Sequence, residues 1–396
     1  MSKKNIGKIS LTLIILLVIT FLCTVFNNVF CYANTENTTE FSHFSSTSFV
    51  LVDKKTGKVL VANNENEKMP VASICKLMTT LLTLEEIEKG NLSLDDMVIA
   101  SPYACSVEGS QAFLDAGSKY KISELLKSVI VASANDSAIV LAETIGGNEK
   151  SFVNKMNQRA KELGMTNTLY ENATGLNTAN QHSTAIDTTK ILKEISKFET
   201  YTKDCKIWMD SFVHPSGRET ELVNTNRLIR YYDYCKGGKT GFTDEAGYCL
   251  ASNAENNGLD LIAVTLKCKD SASRFKESME LFNYGFANFE NGKVVDSSQI
   301  IENDIKIVSG KTDSIELKPE NDFFYIIKKG ELGEISTRIE LPEKLKASIS
   351  KGEIVGSIKI LNDGAEIGSV NIVANENIEK QNLGDIFRKI GKQWGF

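Results

Sequence analysis

The chain has 396 residues, 42% of them hydrophobic, with 45 Lys and Arg against 51 Asp and Glu and a formal net charge of -6. That length exceeds what one hydrophobic core usually organises, so two domains are expected. The acidic balance argues against nucleic acid as a partner, because binding a polyphosphate draws on clustered Lys and Arg.

Residues 1–33 carry Lys3, Lys4 and Lys8 with no acid, then an apolar run from Ile9 to Phe26, then Cys31-Tyr32-Ala33. This is the layout of a secretory signal peptide cut after Ala33. The run is also nearly long enough for a retained transmembrane anchor. On both readings the remainder is exported, and losing the three lysines takes the net charge from -6 to -9. Residues 34–48, rich in Thr, Asn and Ser, read as a linker. Phe49 to Val52 and Lys58 to Val61 then form a hairpin around the turn residues Asp53 to Gly57.

From Pro70 the period becomes helical, with Ile74, Leu77, Met78, Leu81, Leu82 and Leu84 apolar and Gly90 as a stop. Further helices are predicted from about Ile122 to Ala132 and from about Asp136 to Ile145, with a short kink at Ser133 between them. Gly247 to Ser252 and Leu259 to Cys268 have strand texture and read as sheet neighbours. Ser271 to Phe289 returns to helical period. Segregated strands and helices predict an α+β domain over 49–290. Residues 291–376 differ, with short β-type runs at Ile305 to Val308, Phe323 to Ile327 and Ile354 to Ile360, and are assigned to a small all-β domain. In the tail, 377–396, Leu383, Ile386, Phe387, Ile390 and Trp394 share one helical face opposite Arg388, Lys389 and Lys392. A basic amphipathic helix suits a membrane surface. A helix packed on the β domain is the alternative, given Gly384 and Gly391. Six cysteines follow the signal, scattered without short paired spacings. They are expected to be free, small hydrophobic side chains rather than a disulfide framework.

Three short patterns occur in order: Ser73-Ile-Cys-Lys76, Ser133-Ala-Asn135 and Lys239-Thr-Gly241. Each is weak alone. SxxK recurs at Ser118, Ser273 and Ser348, SxN recurs at Ser369, and a second Lys-Thr-Gly lies at Lys55 to Gly57, in the hairpin turn. Context selects the first set, since Ser73 opens a strong helix, Ser133 lies between two helices and Lys239 leads into a strand. A serine in a first helical turn meets free N–H groups that favour an anionic intermediate. Lys76 lies on the same helix face and reaches that oxygen. As a base it must be neutral, with its pKa lowered by burial or by another cation, for which Lys239 is the candidate.

With their surroundings these patterns resemble the serine D-alanyl-D-alanine carboxypeptidases, the low-molecular-mass penicillin-binding proteins. The words that carry the likeness are Pro70-Val-Ala-Ser-Ile-Cys-Lys-Leu-Met-Thr79, Gly109-Ser-Gln-Ala-Phe113, Ser133-Ala-Asn-Asp-Ser137, Asn172-Ala-Thr-Gly-Leu176, His182-Ser-Thr-Ala-Ile-Asp187, Asn224-Thr-Asn226 and Gly238-Lys-Thr-Gly-Phe-Thr-Asp-Glu-Ala-Gly-Tyr248. The resemblance runs from about Phe49 to Phe289, and the β domain and tail match that family's layout. It implies a penicillin-binding and serine β-lactamase-like first domain, an antiparallel sheet with a helical cluster.

It also implies that Ser73 attacks the carbonyl between the two terminal D-alanines of a peptidoglycan stem peptide and that Lys76 takes its proton. Ser133 relays a proton to the leaving D-alanine, and Asn135 holds the peptide amide. Lys239, Thr240 and Gly241 face the terminal carboxylate. The backbone N–H groups of Ser73 and Phe242 form an oxyanion hole, about 3 Å from the charged oxygen. Arg274 stands where the family has a second carboxylate-binding cation, and a solvated helix arginine is the other reading. β-Lactam antibiotics are the implied inhibitors, and no cofactor or metal is implied. Cys75 stands where Thr is more usual, as a packed thiol or a reactive one. Cys235 to Gly238 departs from the pattern in detail and is read as an altered loop that leaves the chemistry untouched.

Rival readings fit less well. A β-lactamase needs a deacylating glutamate, and Glu171 has the wrong spacing from Leu176-Asn177. A zinc carboxypeptidase needs clustered ligands, whereas the chain has only His43, His182 and His214. A catalytically silent penicillin-binding module has no chemical need for the full set Ser73, Lys76, Ser133, Asn135 and Lys239.

Overall fold

The computed structural model describes residues 40–330 and 335–393, so the predicted signal peptide and most of the predicted linker lie outside the described residues. A first unit ends at Phe44, whose N–H donates to the carbonyl of Phe41 at 3.0 Å. The second unit, Ser45–Phe396, contains the elements that follow.

Strands β1 (Ser48–Asp53) and β2 (Val59–Asn63) form the expected hairpin. A 3₁₀ turn, Ala72–Cys75, runs into helix α1 (Lys76–Glu88). A small strand pair, β3 (Met97–Ile99) with β4 (Lys119–Lys121), precedes α2 (Ile122–Val131) and α3 (Asn135–Gly146). Helices α4 (Glu149–Glu162) and α5 (Ala185–Ile195) begin on Asn148 and Thr184, whose side chains accept the free N–H groups of Ser151 and Asp187. After the pair β5 (Met209–Val213) and β6 (Glu219–Val223) come β7 (Cys235–Thr243), β8 (Gly247–Asn256) and β9 (Leu259–Cys268), then α6 (Ser271–Asn288).

The main sheet has five strands in the order β2-β1-β9-β8-β7, with antiparallel pairing throughout, which leaves β7 at an edge. Side chains alternate across a strand, and both faces are covered here. Val50, Val52, Ile262 and Val264 join the core of the helical cluster, with Leu77, Leu81, Leu125, Leu126 and Phe152. Leu51 and Leu261 meet Gly285 of α6 on the other side, so closely that a Cβ there would lie 2.4 Å from Leu261 Cδ1. Burial on both faces is why β1 and β9 read as continuous apolar runs rather than as alternating ones.

The remainder is all-β apart from its last helix. Strand β10 (Phe289–Val295) pairs with β13 (Phe323–Lys328), and β11 (Lys306–Val308) lies parallel to β15 (Lys344–Lys346). A four-stranded sheet joins β12 (Leu317–Pro319), β17 (Ala365–Ala374), β16 (Ile354–Asn362) and β14 (Ile335–Glu340) in that order. Its core is separate and built from Ile305, Ile307, Leu317, Ile358, Ile360 and Ile372. Both the α+β domain and the all-β domain expected from the sequence are therefore present.

Helix α7 (Leu383–Gln393) closes the described chain. Leu383 and Phe387 are 75% and 72% exposed, so these two apolar residues are not packed on the β domain. The side chains of Ile390 and Trp394 lie outside the described ones. Among the described residues no helix is long and apolar enough to cross a membrane.

Candidate active site

Ser73 does not sit in the first turn of an α-helix, as the periodicity suggests, but one step earlier, in the 3₁₀ turn that leads into α1. Ala72 before it has a φ of 49°, a left-handed conformation that costs energy for a residue with a Cβ. Two glycines let other segments close on this turn. A Cβ on Gly175, whose φ is 83°, would lie 2.0 Å from Ala72 O, and one on Gly241 would lie 2.4 Å from Val71 O. The edge strand β7 and the loop 172–176 thus both abut the backbone of Ser73, whose side chain stays partly open between buried neighbours.

Lys76 is completely buried. Its Nζ donates to Ser73 Oγ at 2.9 Å and to the carbonyl of Thr174 at 2.6 Å. Burial penalises the ammonium form and brings its pKa from 10.5 to about 7. Of the two causes the sequence left open, burial or a neighbouring cation, burial leads. The second lysine is itself held well below its ordinary range, first by burial and then by the charges of Lys76 and Arg274.

Lys239 lies in the middle of β7 rather than ahead of a strand, and its Nζ donates to Ser133 Oγ at 2.8 Å. Ser133 joins α2 to α3 with a φ of 64°, so the predicted kink is a left-handed residue. Asn135 opens α3, and its Nδ2 donates to the carbonyl of Glu108 at 2.6 Å. Thr240 Oγ1 donates to Thr225 Oγ1 at 2.7 Å. Arg274 is not a solvated helix arginine. It is 9% exposed, and its Nη1 donates to the carbonyls of Gly241 at 3.0 Å and Cys249 at 3.5 Å. Phe242 is 47% exposed, and its ring stacks on Tyr248 with centroids 4.3 Å apart.

Several supporting residues carried no assigned role in the sequence. Asn172 Oδ1 accepts from the N–H groups of Thr174 (3.1 Å) and Gly175 (2.7 Å), folding the loop that holds Lys76. Asp136, 1% exposed, accepts from the N–H groups of Ala112 (3.0 Å), Leu114 (3.1 Å) and Ser137 (2.8 Å). It thereby clamps the segment 109–114 beside Asn135, and Phe113 stays 56% exposed at its tip. A carboxylate next to an SxN pattern is the one signal that could have exposed this clamp.

The remaining candidates separate. Cys75 is buried, its thiol donates to the carbonyl of Asn172 at 3.3 Å, and burial pushes its pKa up to about 12, which makes it a packed thiol and not a reactive one. Cys235 to Gly238 form no loop but the start of β7, with a register shift between Cys235 and Gly237. Glu171 is exposed and its carboxylate accepts from the N–H and Nδ2 of Asn180 at 3.1 and 3.0 Å. His182 is bonded to the carbonyl of Asn180, while Asp187 accepts from Asn167 N–H and Lys190. Among the described residues no group of three or more His, Cys, Asp and Glu could hold a metal ion.

The profile of the D-alanyl-D-alanine carboxypeptidases matches residues 34–270, and that of the penicillin-binding protein 5 C-terminal domain matches 289–380. The chain belongs to the D-alanyl-D-alanine carboxypeptidase family. It is similar to the D-alanyl-D-alanine carboxypeptidase DacF of Bacillus subtilis, 33% identical over 96% of this chain and 97% of the relative. The DacC enzyme of Escherichia coli is 30% identical, over 91% and 90%. Among solved structures, penicillin binding protein 5 from Haemophilus influenzae superposes with a TM-score of 0.74 at 30% identity, covering 85% of this chain and 98% of that one. The fold is therefore the penicillin-binding one followed by the family's all-β domain, and the chain is a serine-type hydrolase of this carboxypeptidase class.

Replacing Asp136 by Ala should leave buried N–H groups without an acceptor and cost about 1–3 kcal/mol. Denaturant melts should report the loss, and amide exchange at Ala112 and Leu114 should accelerate well above that of the helical core. Unchanged exchange at both amides would mean that the clamp holds nothing.

Proposed function

We propose that the chain is an exported D-Ala-D-Ala carboxypeptidase that removes the terminal D-alanine of peptidoglycan pentapeptides through an acyl-enzyme on Ser73, and that penicillins acylate the same serine. The observation that carries this reading is the buried Lys76 Nζ, 2.9 Å from Ser73 Oγ and with a pKa of about 7. A lysine so poised is half neutral near pH 7 and serves as a base. It takes the Ser73 proton while Oγ attacks the carbonyl carbon of the penultimate D-alanine. The N–H groups of Ser73 and Phe242 hold the oxyanion. Ser133 delivers a proton to the departing amine, D-alanine leaves, and water hydrolyses the ester to regenerate Ser73.

Binding draws on the open edge of β7, along which an extended peptide lies as an added strand. Lys239, Thr240 and Gly241 face its terminal carboxylate, whose charge stabilises the ammonium form of Lys239. Arg274 adds positive charge from behind Gly241, and Asn135 holds the peptide amide. No step calls for a cofactor. In the same reading, 1–33 is the signal peptide, 34–48 a linker, 49–290 the catalytic domain, 291–376 the β domain and 377–396 a tail that attaches the exported enzyme to the outer face of the membrane.

Purified protein should release D-alanine from a pentapeptide, and Ser73→Ala should lower that rate by a factor on the order of 10⁴ to 10⁶ while abolishing penicillin labelling. Labelling that survives on another serine would sink the assignment. The pH profile has a definite sign. Lys76 acts only when deprotonated, so the acylation rate should climb as pH rises through about 7 and then level off. A rate that is flat across this range would remove Lys76 as the base. For the tail, the full chain should sediment with anionic lipid vesicles and a chain ending at residue 376 should not. Equal sedimentation would place the attachment elsewhere.

A further inference from the structure

The second Lys-Thr-Gly, Lys55 to Gly57, has no part in the proposed chemistry. It caps the β1–β2 hairpin, where the fully buried Asp53 accepts from the N–H of Thr56 at 2.7 Å and from its Oγ1 at 2.6 Å, which fixes the turn. Opposite lie Asp322 to Ile326 around β13 and Ile367 of β17, and the cleft between has a volume of about 440 Å³. That volume lies in the range of ligand sites.

The charges in this cleft are unusual. Lys55 Nζ stands 4.5 Å from the ring centroid of Phe324, and Lys58 Nζ stands 5.3 Å from that of Tyr325. Their hydrogen bonds go to the backbone carbonyls of Gly258 (3.1 Å) and Ile326 (3.4 Å). Ring faces and carbonyls position an ammonium group without cancelling its charge, as a carboxylate would. Neither lysine has an ion-pair partner among the described residues. The acids nearby are already engaged: Asp322 is paired with Lys293 at 2.9 Å, and Glu255, which feels Lys55, is paired with Lys236 at 3.1 Å. Lys193 joins the cluster by donating to the carbonyl of Lys55 at 3.0 Å. On a chain of net charge -6, this is a local reversal of sign beside half-buried aromatic rings.

We infer that this cleft is a second binding site, for an anionic segment of the peptidoglycan strand distant from the peptide being cut. Lys55 and Lys58 meet stem-peptide carboxylates, and the exposed parts of Phe324 and Tyr325 add apolar contact area beside them. The cleft thus holds the polymer while Ser73 works on one stem of it. This rests on the proposed substrate, and the two fail separately, because release from a free pentapeptide reads Ser73 whereas strand binding reads the cleft.

The test uses soluble, uncrosslinked peptidoglycan strands several disaccharide-pentapeptides long, with free pentapeptide as the control. Lys55→Glu with Lys58→Glu should leave kcat/KM for the free pentapeptide within about twofold and lower it for strands by about tenfold, through KM. The pair Lys55→Arg and Lys58→Arg should keep the wild-type value. On the Ser73→Ala protein, a fluorescent strand should bind less tightly as salt rises, and the charge reversal should remove most of that dependence. Equal losses on strand and free peptide, or none on strands, would overturn the inference. So would wild-type binding of a poly(glycerol phosphate) chain without binding of strands, since the cleft would then serve a phosphate polymer instead.

Discussion

A lysine ammonium group buried beside a serine hydroxyl is the constraint on which the rest of this structure depends. An isolated buried cation is costly, so the group sheds its charge near neutral pH instead of paying the full desolvation penalty. Keeping Lys76 dry and aimed at Ser73 takes several elements at once. The carbonyl of Thr174 receives its other hydrogen bond, and Thr79 of the same helix ties down the neighbouring carbonyl of Ala173 at 2.7 Å. Asn172 folds that loop, and the small, protonated thiol of Cys75 fills the space behind it.

The second half of the site is a matter of close approach. Strand β7 carries Lys239 and Thr240 past Ser73 only because Gly241 has no side chain to strike Val71. Arg274, from the helix on the far side of the sheet, then bonds the Gly241 carbonyl. A cation that the family resemblance associates with the substrate carboxylate is thus also a brace for the strand. Segment 109–114 is braced in the same manner by Asp136 from within α3. The candidate site residues are few, and Lys76, Lys239 and Thr240 are each held by a contact from an element remote in sequence, a backbone carbonyl for Lys76 and a side-chain hydroxyl for the other two.

Much of this was legible in the chain. The hairpin at β1–β2, the helices from Lys76, Ile122 and Ser271, and the strands β8 and β9 follow from runs whose period or apolar density is unambiguous. The pairs β3–β4 and β5–β6 are not legible in the sequence, because the strands are short and β4, β5 and β6 bury one residue each, Tyr120, Phe212 and Leu222, while Met97, Ile99, Met209 and Val213 are exposed, which is too little to set a period. The helix boundary at Lys76 is hidden from the sequence for a different reason. Helical periodicity extends through Ile74, but the backbone from Ala72 to Cys75 tightens to 3₁₀ under the close approach of Gly175 and Gly241, and that pressure is tertiary.

By itself, the sequence determined the order of the three motifs, the α+β domain followed by a β domain, and the residue types that acylation chemistry requires. Those are local or compositional properties, carried by spacing and periodicity. Only the tertiary structure decided that Lys76 titrates near 7, that Lys239 stands in mid-strand against Ser133, and that Arg274 is buried on a carbonyl rather than solvated. Each of these depends on which distant segments exclude water from a side chain, and burial of that kind has no signature in neighbouring residues.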